Sequence, residues 1–286
     1  MIVQSIFPLW LTSQVSNSMD KRYRHQLILE DCQLHDQGLA QLRAYVQRAH
    51  DDARDHLRAL AGISLDPFGD SPNKFDPAEG YPELLDEVTL KGYLGEVLTA
   101  LIVEYFAPFD EQGWTVPAFL FRFHRIAFDK LEELRAGQPA TAIPGRTGND
   151  CLAFQFDEQG FVLRVLVCEA KCTAQHDSTM LSHAHQQVST VGIPSVRELI
   201  DILLESNDSC KLAWADGLRQ VWIEGASSNK YERYDLVSYV HGQRPIRRAT
   251  WSPVDQPHPS YHGNRRLETV EVYLDNIDTL IHEVYR

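Results

Sequence analysis

The stretch Gly148–Lys171, GNDCLAFQFDEQGFVLRVLVCEAK, decides the reading of this chain. It holds two β-type runs, Cys151–Phe156 and Phe161–Cys168, around the polar, Gly-ended turn Asp157-Glu158-Gln159-Gly160. Two such runs about a four-residue turn predict a β-hairpin. Asp150 then stands at the outer end of the first strand, and Glu169 and Lys171 at the outer end of the second. Closing the hairpin brings the three charges to one open end of the sheet. Side chains alternate along a strand, so Glu169 and Lys171 share a face and Ala170 points away. Two carboxylates and an ammonium converging at a sheet edge suit a hard cation with a water beside it. They equally suit a salt-bridged sheet end in a non-catalytic scaffold.

Upstream of the hairpin, Leu84–Phe106 predicts a strong helix, stopped by Pro108. Within it Glu96 lies among Leu94, Val97, Leu98 and Leu101. A carboxylate on an apolar helix side is costly unless it is paired, hydrogen-bonded or close to a cation. Glu104 is the alternative acid on the same helix. Ala136–Gly148 reads as the loop that delivers the chain to the hairpin. Before these come candidate strands at Ser5–Leu11 and His25–Leu29, a helix at Leu39–Leu60, and a Pro- and Asp-rich loop at Ala61–Glu79 as the best domain boundary. Thr115–Phe123 reads as a strand and Ile126–Arg135 as a short helix. After the hairpin, Ser178–Val188 and Val196–Leu204 read as helices, the second capped by Ser195 with Glu198 three residues on. Tyr231–Val240 and Glu268–Leu274 are candidate strands, and Ile277–Tyr285 a closing helix.

The bulk numbers set limits. At 286 residues the chain can bury a substantial core, and 43% apolar with 23% charged residues is ordinary globular composition. No apolar run approaches the ~18–20 residues of a membrane span. The N-terminus has no basic segment and cleavage site of the secretory kind. Five cysteines without a repeated spacing fit reduced thiols in the cytoplasm. Cys168 and Cys172 read as small core residues, since no second Cys/His pair completes a zinc set. His183 and His185, two apart on a helix, face different ways and suit a shared metal poorly. No Walker A, Rossmann or nucleophile-elbow motif occurs, so no ATPase is visible.

The net charge of −13 is unusual for a protein that grips long DNA alone, because phosphate neutralisation supplies most non-specific affinity. Basic residues do gather at Lys21-Arg22-Tyr23-Arg24-His25, and at Arg244, Arg247, Arg248, Arg265 and Arg266 with Trp251 and Tyr261 between them. Cations interleaved with aromatics suit phosphate and base contacts. A solvated loop with packed aromatics is the plainer account.

The order helix-Glu96, strand-Asp150, strand-Glu169-Ala170-Lys171 and polar helix resembles the PD-(D/E)xK nuclease superfamily over roughly residues 85–285. That resemblance implies an α/β fold: a restriction-endonuclease-like core with a mixed β-sheet flanked by helices over 81–286, and an N-terminal α+β extension over 1–80. It implies Glu96, Asp150, Glu169 and Lys171 as the catalytic set. Asp150, Glu169 and the Ala170 carbonyl would hold Mg²⁺, with Mn²⁺ as an alternative, and Lys171 would orient the attacking water. Asn149 stands where the motif has proline. Gln186 and Gln187 match an extra motif of several branches that contacts substrate, and Arg247 and Arg248 would add substrate contacts. The words Leu90–Glu96, Gly-Asn-Asp, Glu-Ala-Lys and Val270–Leu274 are similar to the nuclease subunit of Hachiman-type antiphage defence systems. That likeness implies DNA as substrate, a superfamily 2 helicase as partner and a cytoplasmic setting. A nuclease-like fold that only docks DNA or regulates a helicase is the competing expectation.

Overall fold

The strands that carry the site are buried along most of their length, polar residues included, as expected of a sheet covered on both faces. In the computed structural model, which describes residues 5–62, 76–139, 141, 143–206, 208–225 and 230–286, they lie in one mixed six-stranded sheet. In chain order the strands are β1 (Leu11–Asn17), β2 (Tyr23–Glu30), β3 (Cys151–Phe156), β4 (Val162–Thr173), β5 (Glu232–His241) and β6 (Leu267–Tyr273), and their spatial order is β1-β2-β6-β5-β4-β3. β2, β6, β5 and β4 run parallel to their neighbours, and β1 and β3 close the edges antiparallel. The protein is thus α/β, with helices on both faces. The first two strands belong to the same sheet as the hairpin, so residues 1–80 contribute directly to it.

Nine α-helices are described: α1 (Phe7–Trp10), α2 (His35–Ala49), α3 (Asp51–Gly62), α4 (Glu87–Tyr105), α5 (Arg125–Arg135), α6 (Ser178–Thr190), α7 (Val196–Leu204), α8 (Ser209–Glu224) and α9 (Ile277–Tyr285). One sheet face, with Leu166, Cys168, Leu236, Val240 and Val272, packs on α4, α2 and α9. The other, with Val165, Val167, Val237 and Leu267, packs on α6, α7 and α8. α4 is buried continuously from Tyr93 to Val103. It starts at Asp86, whose Oδ1 accepts the Val88 and Thr89 amides at 3.0 and 3.2 Å. Gly95 brings this helix close to β4: a Cβ there would stand 3.1 Å from the Cys172 Cβ.

Several expectations are met to the residue or nearly so: β3, α7, α9 and the Asp157–Gly160 turn, in which Asp157 Oδ1 accepts the Gln159 and Phe161 amides at 2.9 Å. Others need correction. Ser5–Leu11 is not a strand. Pro8 opens the short α1, which buries Phe7 and Trp10, and extended structure begins at Leu11. The single helix expected over Leu39–Leu60 breaks at His50, whose buried ring packs among Tyr81, Tyr93, Phe121 and Tyr285. Thr115–Phe123 forms only one bridge, Thr115 to Phe154. Pro117 offers no amide to a ladder, and Phe119 stacks on Phe121 instead. Ser195 does not cap α7; its hydroxyl is used elsewhere, as described below. The boundary loop expected at Ala61–Glu79 falls mostly outside the described residues. Among the described residues, no helix is long and apolar enough to cross a membrane.

The connection between β5 and β6 is anchored by a buried carboxylate on β6. Glu271 accepts the Trp251 amide at 2.8 Å and the Ser252 amide at 2.5 Å, with His25 Nε2 at 3.2 Å and His241 Nε2 at 3.6 Å. Burial alone would raise its pKa, but the His241 and His25 rings and the Trp251 amide outweigh burial and hold it well below the usual carboxylate range. A depressed carboxyl gives stability that is present above its ordinary pKa and lost as pH falls below it. Glu271→Gln is therefore expected to cost on the order of 2–4 kcal/mol at pH 7. It should also flatten the loss of stability below pH ~4.5, read by urea unfolding at several pH values.

Candidate active site

The charges of the hairpin meet near the carboxyl ends of the parallel strands, where open α/β sheets usually bind ligands. β4 runs on to Thr173, so Glu169 and Lys171 sit within the strand and not beyond its end as expected. They share its α6-facing side. Lys171 Nζ donates to Glu169 Oε1 at 2.6 Å and stands 3.8 Å from Asp150 Oδ2. Asp150 Oδ2 also accepts the Ala170 amide at 2.9 Å, which ties the two strand ends together. Glu169 is 2% exposed. Glu96 reaches the same point from α4, in a cleft of about 680 Å³ whose lining includes Glu96, Arg146, Asp150, Glu169, Lys171 and Gln187.

The local electrostatics follow from burying several acids together. Burial raises the Glu96 pKa to about 8, with Arg146 opposing and Asp150 reinforcing the rise. Burial and then the Asp150 charge push Glu169 up as well, against the pull of Lys171. Burial works against the Lys171 charge, but Asp150 and Glu169 outweigh it, so its pKa is raised. Lys171 is therefore a firmly charged ammonium. Glu96 Oε2 is buried with no hydrogen-bond partner; Arg146 Nη2 lies 3.9 Å away.

Residues the sequence reading passed over position Asp150. Asn149 is buried; its amide N–H donates to Ser195 Oγ at 3.1 Å and its Nδ2 to Gly192 O at 3.0 Å. Arg146 Nη2 donates to the Asn149 carbonyl, and Nη1 lies 3.6 Å from Glu198 Oε2. Ser195 and Glu198, read as a capping pair, therefore hold the chain that enters the hairpin. A lone arginine next to Gly-Asn-Asp in a Gly- and Pro-rich loop was the available signal.

The structure brings Glu96, Asp150, Glu169, Ala170 and Lys171 together. It does not bring Gln186 to them: Gln186 is exposed on α6, and its neighbour Gln187 lines the cleft with His183, one helical turn before it. His185 lies in the core, with Nε2 3.0 Å from Thr269 Oγ1. Arg247 and Arg248 also lie outside the cleft lining. Arg248 stands over the Trp251 ring, which stacks at 3.7 Å on His176, next to the cleft residue Asp177. Much of the basic clustering is structural. Arg24 pairs with buried Glu268 and with Asp110, Arg265 with buried Asp235, and Arg266 with Glu111.

Among the described residues, no three His, Cys, Asp or Glu side chains are gathered closely enough to hold a metal ion as they stand. Mg²⁺ needs fewer, since it keeps several waters and is commonly held by one or two carboxylates. The hard-oxygen donors Asp150 and Glu169 and the orphaned Glu96 oxygen fit such an ion. A second cleft of about 680 Å³ borders α3 and α5; its acids Asp129, Glu132 and Glu198 are interspersed with Arg122, Arg125 and Arg135. No protein-family model matches this sequence, and no curated protein matches it.

A carboxyl whose folded pKa is raised binds a proton that the unfolded chain has already lost. Its contribution to stability is full below the ordinary value and declines as pH rises toward the folded one. Wild-type stability should therefore fall between pH ~4.5 and ~8 through Glu96. Glu96→Gln should remove much of that slope and gain on the order of 1–3 kcal/mol at pH 8, measured by chemical denaturation across the range.

Proposed function

We propose that this protein is a metal-dependent DNA endonuclease of the PD-(D/E)xK kind, hydrolysing phosphodiester bonds in the cleft beside β4. The observation that carries this reading is the Lys171 ammonium held between Glu169 and Asp150, with Asp150 fixed on the Ala170 amide. The element order α4, β3, β4, α6, β5 supports it. The superfamily pattern α-β-β-β-α-β has one more strand before the second helix, and here the single Thr115–Phe154 bridge at β3 stands in that place.

Asp150, Glu169 and the Ala170 carbonyl would hold Mg²⁺ or Mn²⁺, with Glu96 in support. The ion supplies Lewis-acid polarisation of the phosphoryl oxygen and a nucleophile at neutral pH. The chain's own groups do the rest. Lys171, a donor without acceptor capacity, orients the attacking water and offsets the negative charge that develops on the phosphate. Burial strengthens that interaction, because a desolvated charge acts through a lower dielectric. Gln187 and His183 face the cleft from α6 and contact substrate. Arg248 and Arg247 extend the contact along the strand. An acidic protein of this kind suits a division of labour, in which a superfamily 2 helicase supplies grip and ATP-driven delivery of DNA. Antiphage defence in the cytoplasm is the setting this pairing suggests.

A second reading has its own observation. Lys171 already neutralises Glu169, which suits a scaffold that docks DNA or regulates a helicase. Linear, circular and nicked DNA incubated with Mg²⁺ or Mn²⁺, with and without the helicase, separates the two. Under the nuclease reading, cleavage requires metal, stops with EDTA, and falls at least about hundredfold in Asp150→Ala and in Lys171→Ala. Cleavage that persists in both variants refutes the site beside β4, and no cleavage in any combination leaves the scaffold.

A further inference from the structure

Once the structural arginines are set aside, a compact basic group remains on the loop after β5. Among the described residues, Arg244, Arg247 and Arg248 form no salt bridge with any carboxylate. Arg244 lies over the Tyr273 ring at 4.1 Å and Arg248 over Trp251 at 5.3 Å. A guanidinium held over an aromatic face keeps its charge and has several N–H donors to offer a ligand. Both border a pocket of about 290 Å³ with Gln14, Leu27, Leu29, His241 and Tyr273. His241 is 1% exposed; its Nε2 stands 3.6 Å from Glu271 Oε2, and its Nδ1 has no hydrogen-bond partner. Glu271 already accepts two backbone amides. A buried ring nitrogen without a partner, beside two arginines held over aromatic rings, suits an anion.

Register places this pocket relative to the acidic cleft. Lys171, Tyr239, Glu271, Leu27 and Gln14 are successive cross-strand partners, as are Thr173, His241, Tyr273 and Leu29. Both sites therefore lie on one face of the sheet: His241 is one strand from Lys171, and the far side of the pocket, at Tyr273, Leu27 and Leu29, is two to three strands away, about 10–15 Å at the usual ~4.8 Å spacing. The wall between them is the His176–Trp251 stack, with His176 Nδ1 3.1 Å from the Tyr239 hydroxyl. We infer that His241, Arg244 and Arg248 form a second phosphate site, which holds the backbone of the same nucleic-acid strand a few nucleotides from the bond in the acidic cleft. The separation corresponds to roughly two to four nucleotides, at ~3.4 Å of rise in a duplex or about twice that in an extended strand. The flat stack of His176 on Trp251 supplies an aromatic platform for the intervening base. This inference rests on the nuclease reading for its register, but the binding it describes does not require cleavage.

The test is binding of a 20-nucleotide single strand and its duplex in EDTA, by fluorescence anisotropy over a series of salt concentrations. It compares the wild type, the double variant Arg244→Ala/Arg248→Ala, and Arg219→Ala on α8 as a control. The wild type and control should bind alike. The double variant should lose about tenfold or more in affinity, and its slope of log K against log salt should be shallower by about 1–2. A wild type that does not bind at low salt, or a double variant with unchanged slope, overturns the proposal. Inorganic phosphate titrated against the His241 ring resonances distinguishes the source: phosphate binding with unchanged strand binding in the double variant assigns the pocket to free phosphate and overturns the strand site. Cleavage with an unaltered slope would sink this pocket alone. An altered slope without cleavage would sink the nuclease reading alone.

Discussion

Every feature of this protein that bears on chemistry depends on keeping charge at a nearly dry sheet edge. Glu169 is almost wholly buried, and a carboxylate in that position costs several kcal/mol unless a cation meets it. Lys171 meets it from two residues on along the same strand, an arrangement only the period-two alternation of a strand allows. Asp150 must then come from the neighbouring strand, and the hairpin register that pairs Cys151 with Cys168 sets it opposite Glu169, where its Oδ2 accepts the Ala170 amide. Shifting β3 by one residue would turn Asp150 to the other face. The cluster and the register specify each other.

The second requirement is approach. Glu96 reaches the cluster because α4 lies against β4 at Gly95, where a side chain would crowd Cys172. Asp150 is held because Asn149 is bonded to Ser195 and Gly192 in the turn between α6 and α7, with Arg146 clasping the Asn149 carbonyl. Each such hydrogen bond contributes about 1 kcal/mol net, so none alone would hold a charge in an unfavourable place. Together they leave the entering chain few alternatives. The orphaned Glu96 oxygen is where this ordering stops short: the site is assembled but one acceptor is unmet.

The hairpin, the buried helix and the closing elements were legible in the sequence because their signals are local. Asp157 to Gly160 is a turn by its own chemistry, and Leu94 to Val103 can only be a buried helix. What was not legible depends on contacts between distant segments. His50 breaks a helix because four aromatic rings from elsewhere converge on it. Arg24 and Arg265 read as free cations, yet each neutralises an acid buried in another strand. Gln186 and Gln187 are equivalent as letters, and only the docking of α6 on β4 and β5 decides which one enters the cleft. In the loop before the hairpin the one signal was a lone arginine beside Gly-Asn-Asp, and its local sequence did not show that the Arg146 side chain would be buried.

Once the arginines are sorted in this way, the charge pattern takes on a meaning that its total concealed. A chain at −13 repels a polyanion over most of its surface. Arg244, Arg247 and Arg248 lie on the loop that Glu271 anchors, on the same sheet face as Lys171 and at the same end of the strands. A field that is repulsive elsewhere and attractive along one strip selects orientation more than affinity, because a strand can approach productively only along that strip. It also makes binding by the protein alone weak, with a shallow salt dependence, since few phosphates are neutralised. Such a surface is suited to receive a strand that something else delivers, and poorly suited to capture duplex DNA from solution. The acidity that first argued against a nucleic-acid role is thus compatible with one, provided that the contact is narrow and oriented.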